Sequence, residues 1–99
     1  MVGVIVDFEY GDDFDAARVA AIAHEARDRF LDLPGLRQKA FTLDEANRRA
    51  TNVYVWDSED AARAFFDDAL IERVTGLYGV RPTVRFVEVA ELVVASSRR

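Results

Sequence analysis

The segment TNVYVWDSEDAARAFF, from Thr51 to Phe66, decides the fold because a strand pattern runs directly into a helix start. Its first half alternates, with Asn52, Tyr54 and Trp56 at even positions. Since successive side chains of a strand point to opposite faces, an amide, a phenol and the only indole of the protein are predicted to share one face. Ser58 and the two acids that follow it are typical of a helix N-terminus.

The remaining sequence predicts three more strands and one more helix. Alternation from Val2 to Tyr10 indicates a first strand. The segments LRQKAFTL and RATNVYVW are separated by the polar turn DEANRR, and we expect them to pair as a hairpin. After Pro82, the segment TVRFVEVAEL predicts a last strand. The element order is therefore β-α-β-β-α-β.

Both predicted helices carry one apolar stripe. In the first, with Asp12 or Asp13 as the expected N-cap, the stripe consists of Val19, Ile22, Ala23, Ala26 and Phe30. In the second, it consists of Ala62, Phe65, Phe66 and Ala69. We expect both stripes to cover the same face of a four-stranded antiparallel sheet. The fold class is then α+β, of the ferredoxin-like type, in a single domain over residues 1–99.

The second face of such a sheet faces water, yet the sequence predicts that it is apolar. We expect it to carry Ile5, Phe41, Leu43, Val53 and Val55, together with valines of the last strand. A contiguous apolar patch of this kind is uncommon on a monomer. We therefore expect a homodimer in which two copies pack sheet to sheet about a two-fold axis, forming an α+β barrel.

Composition excludes several classes of partner. The net charge of −5 at pH 7 argues against binding of nucleic acid or an anionic membrane surface. No segment resembles a signal peptide or a membrane span, and the chain has no cysteine, so a cytoplasmic location is expected. Arginine outnumbers lysine twelve to one, a bias typical of GC-rich codons, which favours a bacterial source.

Neither the histidine nor the acidic cluster of this chain has the spacing of a metal site. His24 is the only histidine, and the segment HEARD lacks the second histidine of the zinc motif H-E-x-x-H. We interpret His24 as part of a solvated helix face. The acids Asp12, Asp13 and Asp15 lack the glycine and glutamate spacing of a calcium loop, and helix capping accounts for them better. No metal site is predicted.

Two longer segments, LPGLRQKAFTLDE and ATNVYVWDSEDAARAFF, resemble the dimeric α+β barrel superfamily. Within it, the chain most resembles a mono-oxygenase branch that is similar to the antibiotic-biosynthesis mono-oxygenases. The likeness covers residues 33–92. It implies a homodimer that acts on a small aromatic or polyketide-like molecule with dioxygen and without a cofactor. In the quinone-forming members, an asparagine and a tryptophan four residues apart on the third strand line the pocket, and Asn52 and Trp56 match that spacing. A histidine late in the second helix, common in relatives, is absent here.

The predicted catalytic residues are therefore Asn52, Trp56 and Tyr54. An amide can hold an oxygen as charge develops on it, an indole offers a stacking surface, and a phenol can transfer a proton. The predicted substrate-binding residues are Phe65, Phe66, Tyr78 and Arg85. Two alternatives remain open: a ligand-binding or structural dimer without catalysis, and a cofactor-free isomerase or cyclase.

Overall fold

A computed structural model describes residues 1–95 of the chain. Four strands and three α-helices follow one another in this part of the chain, and a short 3-10 helix extends the first α-helix. They are β1 (Val2–Glu9), α1 (Ala16–Ala26), the 3-10 helix (Arg27–Phe30), β2 (Leu36–Asp44), β3 (Arg49–Trp56), α2 (Glu59–Phe65), α3 (Asp68–Tyr78) and β4 (Thr83–Glu88). Within residues 1–95 no helix is long and apolar enough to cross a membrane.

The strands form one antiparallel sheet in the order β2-β3-β1-β4. β2 and β3 pair as a hairpin, and β1 lies between β3 and β4 because each βαβ connection crosses over one helical layer. This arrangement confirms the predicted four-stranded, ferredoxin-like fold. It also places β3, with Asn52, Tyr54 and Trp56, in the interior of the sheet.

The helical layer differs from the prediction in two places. Asp15 is the N-cap of α1, where it accepts a hydrogen bond from the backbone of Arg18, so the expectation of Asp12 or Asp13 was wrong. The predicted second helix is two helices, because Phe66 leaves the helical conformation and Asp67 caps a new helix. The break resets the helical phase: Leu70 is buried in α3, whereas Ala69, predicted to be in the apolar stripe, is exposed.

A β-bulge at the start of β2 sets the direction of its side chains. Leu36 pairs with Trp56, but Gln38 already pairs with Val55, so Arg37 is an extra residue on β2. A bulge of this kind reverses which residues face the core, since side chains alternate along a strand. From this point the odd-numbered residues of β2 lie on the same side of the sheet as the even-numbered residues of β3.

Burial and strand pairing define the two faces of the sheet. The helix-covered face carries the core, with Val4, Phe8 and Trp56 almost fully buried against the helical layer. Phe41 and Leu43, expected on the other face, belong to this one because of the bulge. The open face keeps Ile5, Val53, Val55 and Val87 around Gly3. It is narrower and more polar than predicted, but its centre is apolar.

Candidate active site

A cavity of about 350 Å³ lies between the helix-covered face and the helices. Its apolar wall comes from α1, the 3-10 helix, α2 and α3 together with Phe41 of β2. Polar groups enter it from β3 and α3, at Asn52, Tyr54 and Tyr78. A mainly apolar cavity with a few convergent polar groups is the usual form of a small-molecule site.

The amide of Asn52 is held by Tyr78. Asn52 is 4% exposed, and its Nδ2 donates a hydrogen bond to the Tyr78 hydroxyl at 3.3 Å. The ring of Tyr78 is in turn stacked on Phe8, with centroids 3.9 Å apart. Burial raises the pKa of Tyr78, while the bond from Asn52 lowers it. Both groups also line a second cavity of about 200 Å³ next to α1, so this pair separates two spaces.

Tyr54 and Trp56 lie one behind the other on β3. Their rings are parallel within 13°, and Tyr54 lines the larger cavity whereas Trp56 does not. Burial, with a contribution from Tyr78, raises the pKa of Tyr54 well above its usual range, so its hydroxyl stays protonated and can donate. Trp56 is 1% exposed, and its Nε1 has no hydrogen-bond partner among residues 1–95.

The predicted binding residues divide between the two faces. Phe65 and Tyr78 line the larger cavity, and Phe66 packs edge-on against Tyr54 behind that wall. Tyr78 is the last residue of α3, because Gly79 terminates the helix in a left-handed conformation. Arg85 pairs with Ile5 and is therefore on the open face, exposed and separated from the cavity by the sheet.

Lys39 is a site residue that the sequence pattern did not identify. It is the only lysine in the chain, and it lines the larger cavity because the bulge turns it toward the helices. Its Nζ lies 3.4 Å from the centroid of Phe30, 4.0 Å from that of Phe41 and 4.3 Å from that of Tyr54. Burial, together with the positive charge of Arg29, lowers the pKa of Lys39 to about 7. The sequence signal that could have identified Lys39 is a lone lysine two residues before an aromatic residue on a predicted strand.

The charged groups around the cavity have one sign. Arg29, Lys39 and Arg73 line it, and no aspartate or glutamate of the described chain does so. This contrasts with the net charge of −5 of the whole protein. Both arginines are exposed, which indicates that the cavity opens on their side. The cavity is therefore suited to a molecule that is mainly apolar and carries a negative charge or an acidic hydroxyl.

Comparison with known proteins supports the fold through structure rather than through sequence. No protein-family model matches the chain, and no curated protein does. Among solved structures, a mono-oxygenase of Streptomyces coelicolor in complex with nanaomycin D has a TM-score of 0.68 at 19% identity, over 96% of this chain and 92% of that one. SnoaB, a cofactor-independent oxygenase of Streptomyces nogalater, has a TM-score of 0.66 at 16% identity, over 93% and 95%.

A third structure is informative because its function is unknown. A protein of Nitrosomonas europaea has a TM-score of 0.74 at 13% identity, with coverage of 97% of this chain and 95% of that one. Similarity at these identities establishes architecture and leaves activity open. The predicted resemblance is confirmed at the level of the fold: the chain has the same fold as structures described as antibiotic-biosynthesis mono-oxygenases.

Proposed function

We propose that this protein binds a small aromatic or polyketide-like molecule in the 350 Å³ cavity and oxygenates it with dioxygen, without a flavin, haem or metal cofactor. The observation that carries the proposal is the buried Asn52 amide, held by Tyr78 at the wall of a mainly apolar cavity. A buried amide is costly unless its polar atoms are paired, on the order of 1 to 3 kcal/mol. Its Nδ2 is paired with Tyr78, and we expect its carboxamide oxygen to accept a hydrogen bond from a ligand.

The reaction follows from what the substrate itself must supply. An anthrone-like substrate loses a proton, gives electrons to dioxygen and becomes a quinone, with one oxygen atom in the product carbonyl and the other in water. The protein's tasks are then proton removal, orientation and exclusion of water. Asn52 orients the reacting oxygen, and the protonated Tyr54 hydroxyl donates a hydrogen bond to it.

Trp56 has a positioning role in this proposal. It lies behind Tyr54 and contacts Phe65, with ring centroids 5.2 Å apart, so it fixes two residues of the cavity wall. Phe66 closes the same cluster from the C-terminal end of α2. In this proposal Asn52 contacts the ligand, and Trp56, four residues further along β3, holds the cavity wall in place.

We also propose that the working form is a homodimer joined through the open face. Val53 is 37% exposed although it lies on a central strand, and its neighbours Ile5 and Val55 extend the apolar surface. A sheet from a second copy would cover these side chains, as expected from the sequence. Arg85 lies on this face, so its proposed contribution is to the interface rather than to the cavity of its own chain.

Oxygen consumption tests the function. We expect the protein to accelerate oxygen uptake with anthrone and with phenolic substrates over the rate without protein. Asn52→Ala should lower that rate by about 10-fold or more, since it removes the group that orients the developing oxyanion. The matched control is Asn47→Ala, which makes the same change in the exposed hairpin turn, where Asn47 Nδ2 donates a hydrogen bond to Asp44.

Two outcomes would contradict the proposal. Oxygen uptake that is unchanged in the Asn52→Ala, Trp56→Phe double variant would remove the assigned residues from the chemistry. Ligand binding that quenches Trp56 fluorescence, with no oxygen consumed, would favour the alternatives of a cofactor-free isomerase or cyclase, or of a binding protein. Product analysis under nitrogen then separates these two, because only an isomerase or cyclase changes the ligand.

A further inference from the structure

Lys39 is a titratable group of the cavity whose amine nitrogen is surrounded by aromatic rings. Three aromatic rings, from Phe30, Phe41 and Tyr54, lie within 4.3 Å of its Nζ, measured to the ring centroids. The ion pairs of the described chain are all made by arginines, so Lys39 has no carboxylate partner there. A buried ammonium without a counter-ion favours loss of its proton.

Some of the groups that face Lys39 favour its neutral amine, and others stabilise its ammonium form. Arg29 from the 3-10 helix and Arg73 from α3 line the same cavity and oppose a further positive charge. Tyr54 from β3 and Tyr78 from α3 are protonated phenols and carry no charge at neutral pH. The faces of the aromatic rings stabilise an ammonium once it forms. An anion in the cavity would shift this balance toward the ammonium.

Building on the function proposed above, we propose that Lys39 accepts the proton of an acidic hydroxyl on the aromatic ligand, so that the cavity holds the ligand as its phenolate. In this step the O–H bond of the ligand breaks and an N–H bond forms on Nζ, with no net change in charge and no oxidant. Arg29 and Arg73 then attract the phenolate. A phenolate gives up electrons more readily than a phenol, so the step prepares the ligand for dioxygen.

The protein offers a direct readout, because Lys39 is its only lysine. Labelling with lysine carrying ¹³C at the ε carbon gives one side-chain NMR signal. In the free protein we expect this signal to titrate near pH 7, where burial and Arg29 place the pKa of Lys39. Binding of 1-naphthol should move the titration upward by about one pH unit or more. A midpoint near 10.5 in the free protein would overturn the proposal.

Optical spectra report the ligand side of the same step. We expect 1-naphthol at about pH 8, measured under nitrogen, to show the naphtholate absorption when it binds the wild-type protein. Lys39→Met should abolish that absorption and weaken binding about 10-fold. If Lys39→Met gives the same naphtholate spectrum, or if naphthol fails to bind the wild-type protein at millimolar concentration, the proposal is contradicted.

Lys39→Arg separates a proton acceptor from a fixed positive charge. Arginine stays charged and can pair with the naphtholate, but it cannot take up the proton. Calorimetry in buffers of different ionisation enthalpy should therefore show about one proton released per naphthol bound for Lys39→Arg and almost none for the wild-type protein. Equal release by both would show that Lys39 acts only as a charge. Circular dichroism and thermal unfolding establish that both variants are folded.

Failure of this proposal can be distinguished from failure of the proposed oxygenation. Oxygen uptake that persists in Lys39→Met, with no naphtholate formed in the wild-type protein, removes Lys39 and retains the oxygenase. Naphtholate formation that requires Lys39, with no oxygen consumed from any anthrone or phenol, retains the proton acceptor and removes the oxygenase.

Discussion

The two faces of the sheet are built from alternate residues of the same strands, and they differ in composition and burial. On β3, Asn52, Tyr54 and Trp56 are buried under the helices, whereas Val53 and Val55 lie on the side without helices. The helix-covered face combines aromatic and polar residues, and it encloses a cavity. The open face has short apolar residues at its centre and is not covered by helices in residues 1–95. The short apolar side chains of the open face suit packing against a flat partner surface. The aromatic and polar side chains of the helix-covered face suit ligand binding.

The largest expected difference between the faces is in stability. Trp56→Ala should lower the free energy of unfolding by about 3 to 5 kcal/mol, because it leaves a cavity among Tyr54, Phe65 and Phe66. Val55→Ala, the adjacent residue on the open face, should cost below about 1 kcal/mol. Urea denaturation at low protein concentration measures both. Equal losses would mean that the open face is as tightly packed as the core.

The second difference is in association. Val53→Arg places a charge at the centre of the open face and should weaken the proposed dimer by about 100-fold or more, while the chain remains folded. Leu31→Arg, a similar change at a side chain that is 64% exposed, should leave the dimer intact. Light scattering across a concentration series reports the mass. A wild-type mass equal to one chain at micromolar concentration would eliminate the dimer, and with it the role assigned to the open face.

A third, smaller effect concerns the edge of the helix-covered face. Gly35 has a φ of +83°, and a Cβ there would lie 2.8 Å from the Cβ of Ala61. Gly35→Ala should therefore cost about 2 to 3 kcal/mol, from backbone strain and a contact that neither group can avoid. Gly79→Ala shares a positive φ of +87° but meets no atom within 4 Å, so about 1 kcal/mol is expected. Thermal unfolding compares them, and Ala61→Gly should recover part of the first loss.

The pH dependence of stability is a gradual effect, because it is spread over several pH units. Lys39 has a folded-state pKa of about 7 and an unfolded value near 10.5, so the unfolded chain binds more protons between these values. Stability should rise with pH in this window, by at most about 1.4 kcal/mol per pH unit from this group. Above about pH 10 the raised pKa of Tyr54 reverses the trend, since the unfolded tyrosine ionises first.

Lys39→Met isolates the lysine contribution to that profile. The rise between about pH 7 and pH 10 should be flatter in this variant, while the loss of stability above about pH 10 remains. Denaturant midpoints at a series of pH values measure both limbs. Identical profiles for the two proteins would show that Lys39 is solvated in the folded state.

Much of the fold was predictable because it depends on local patterns. The alternation of β3 and the DEANRR turn indicated the hairpin, and two helix signals indicated the order of elements. The errors came from single residues that change which side chains of a strand or helix face the core. The bulge at Arg37 turned Phe41 inward, and the break at Phe66 replaced Ala69 by Leu70 in the core. Neither Arg37 nor Phe66 is a glycine or a proline, so neither position has the residue type that most often marks a bulge or a helix break.

Part of the site was predictable from the sequence, since Phe65 and Tyr78, like two residues of β3, were expected at the cavity and line it. Asn52 and Tyr54 share a face by periodicity alone, and both line the cavity. The pairing of Asn52 with Tyr78 joins residues 26 positions apart, which no local pattern contains. Lys39 depends on the register of β2, which the bulge reverses. Arg85 was expected at the cavity because its strand was identified, but its side of the sheet was not.

We propose that the helix-covered face binds the ligand and that the open face forms the dimer. A crystal structure of the protein with 1-naphthol tests this most directly. We expect the naphthol ring in the cavity beside Phe30 and Tyr54, with its oxygen within hydrogen-bond distance of Lys39 Nζ, and two chains packed through their open faces. Naphthol bound on the open face, with the cavity filled by the protein's own side chains, would contradict it.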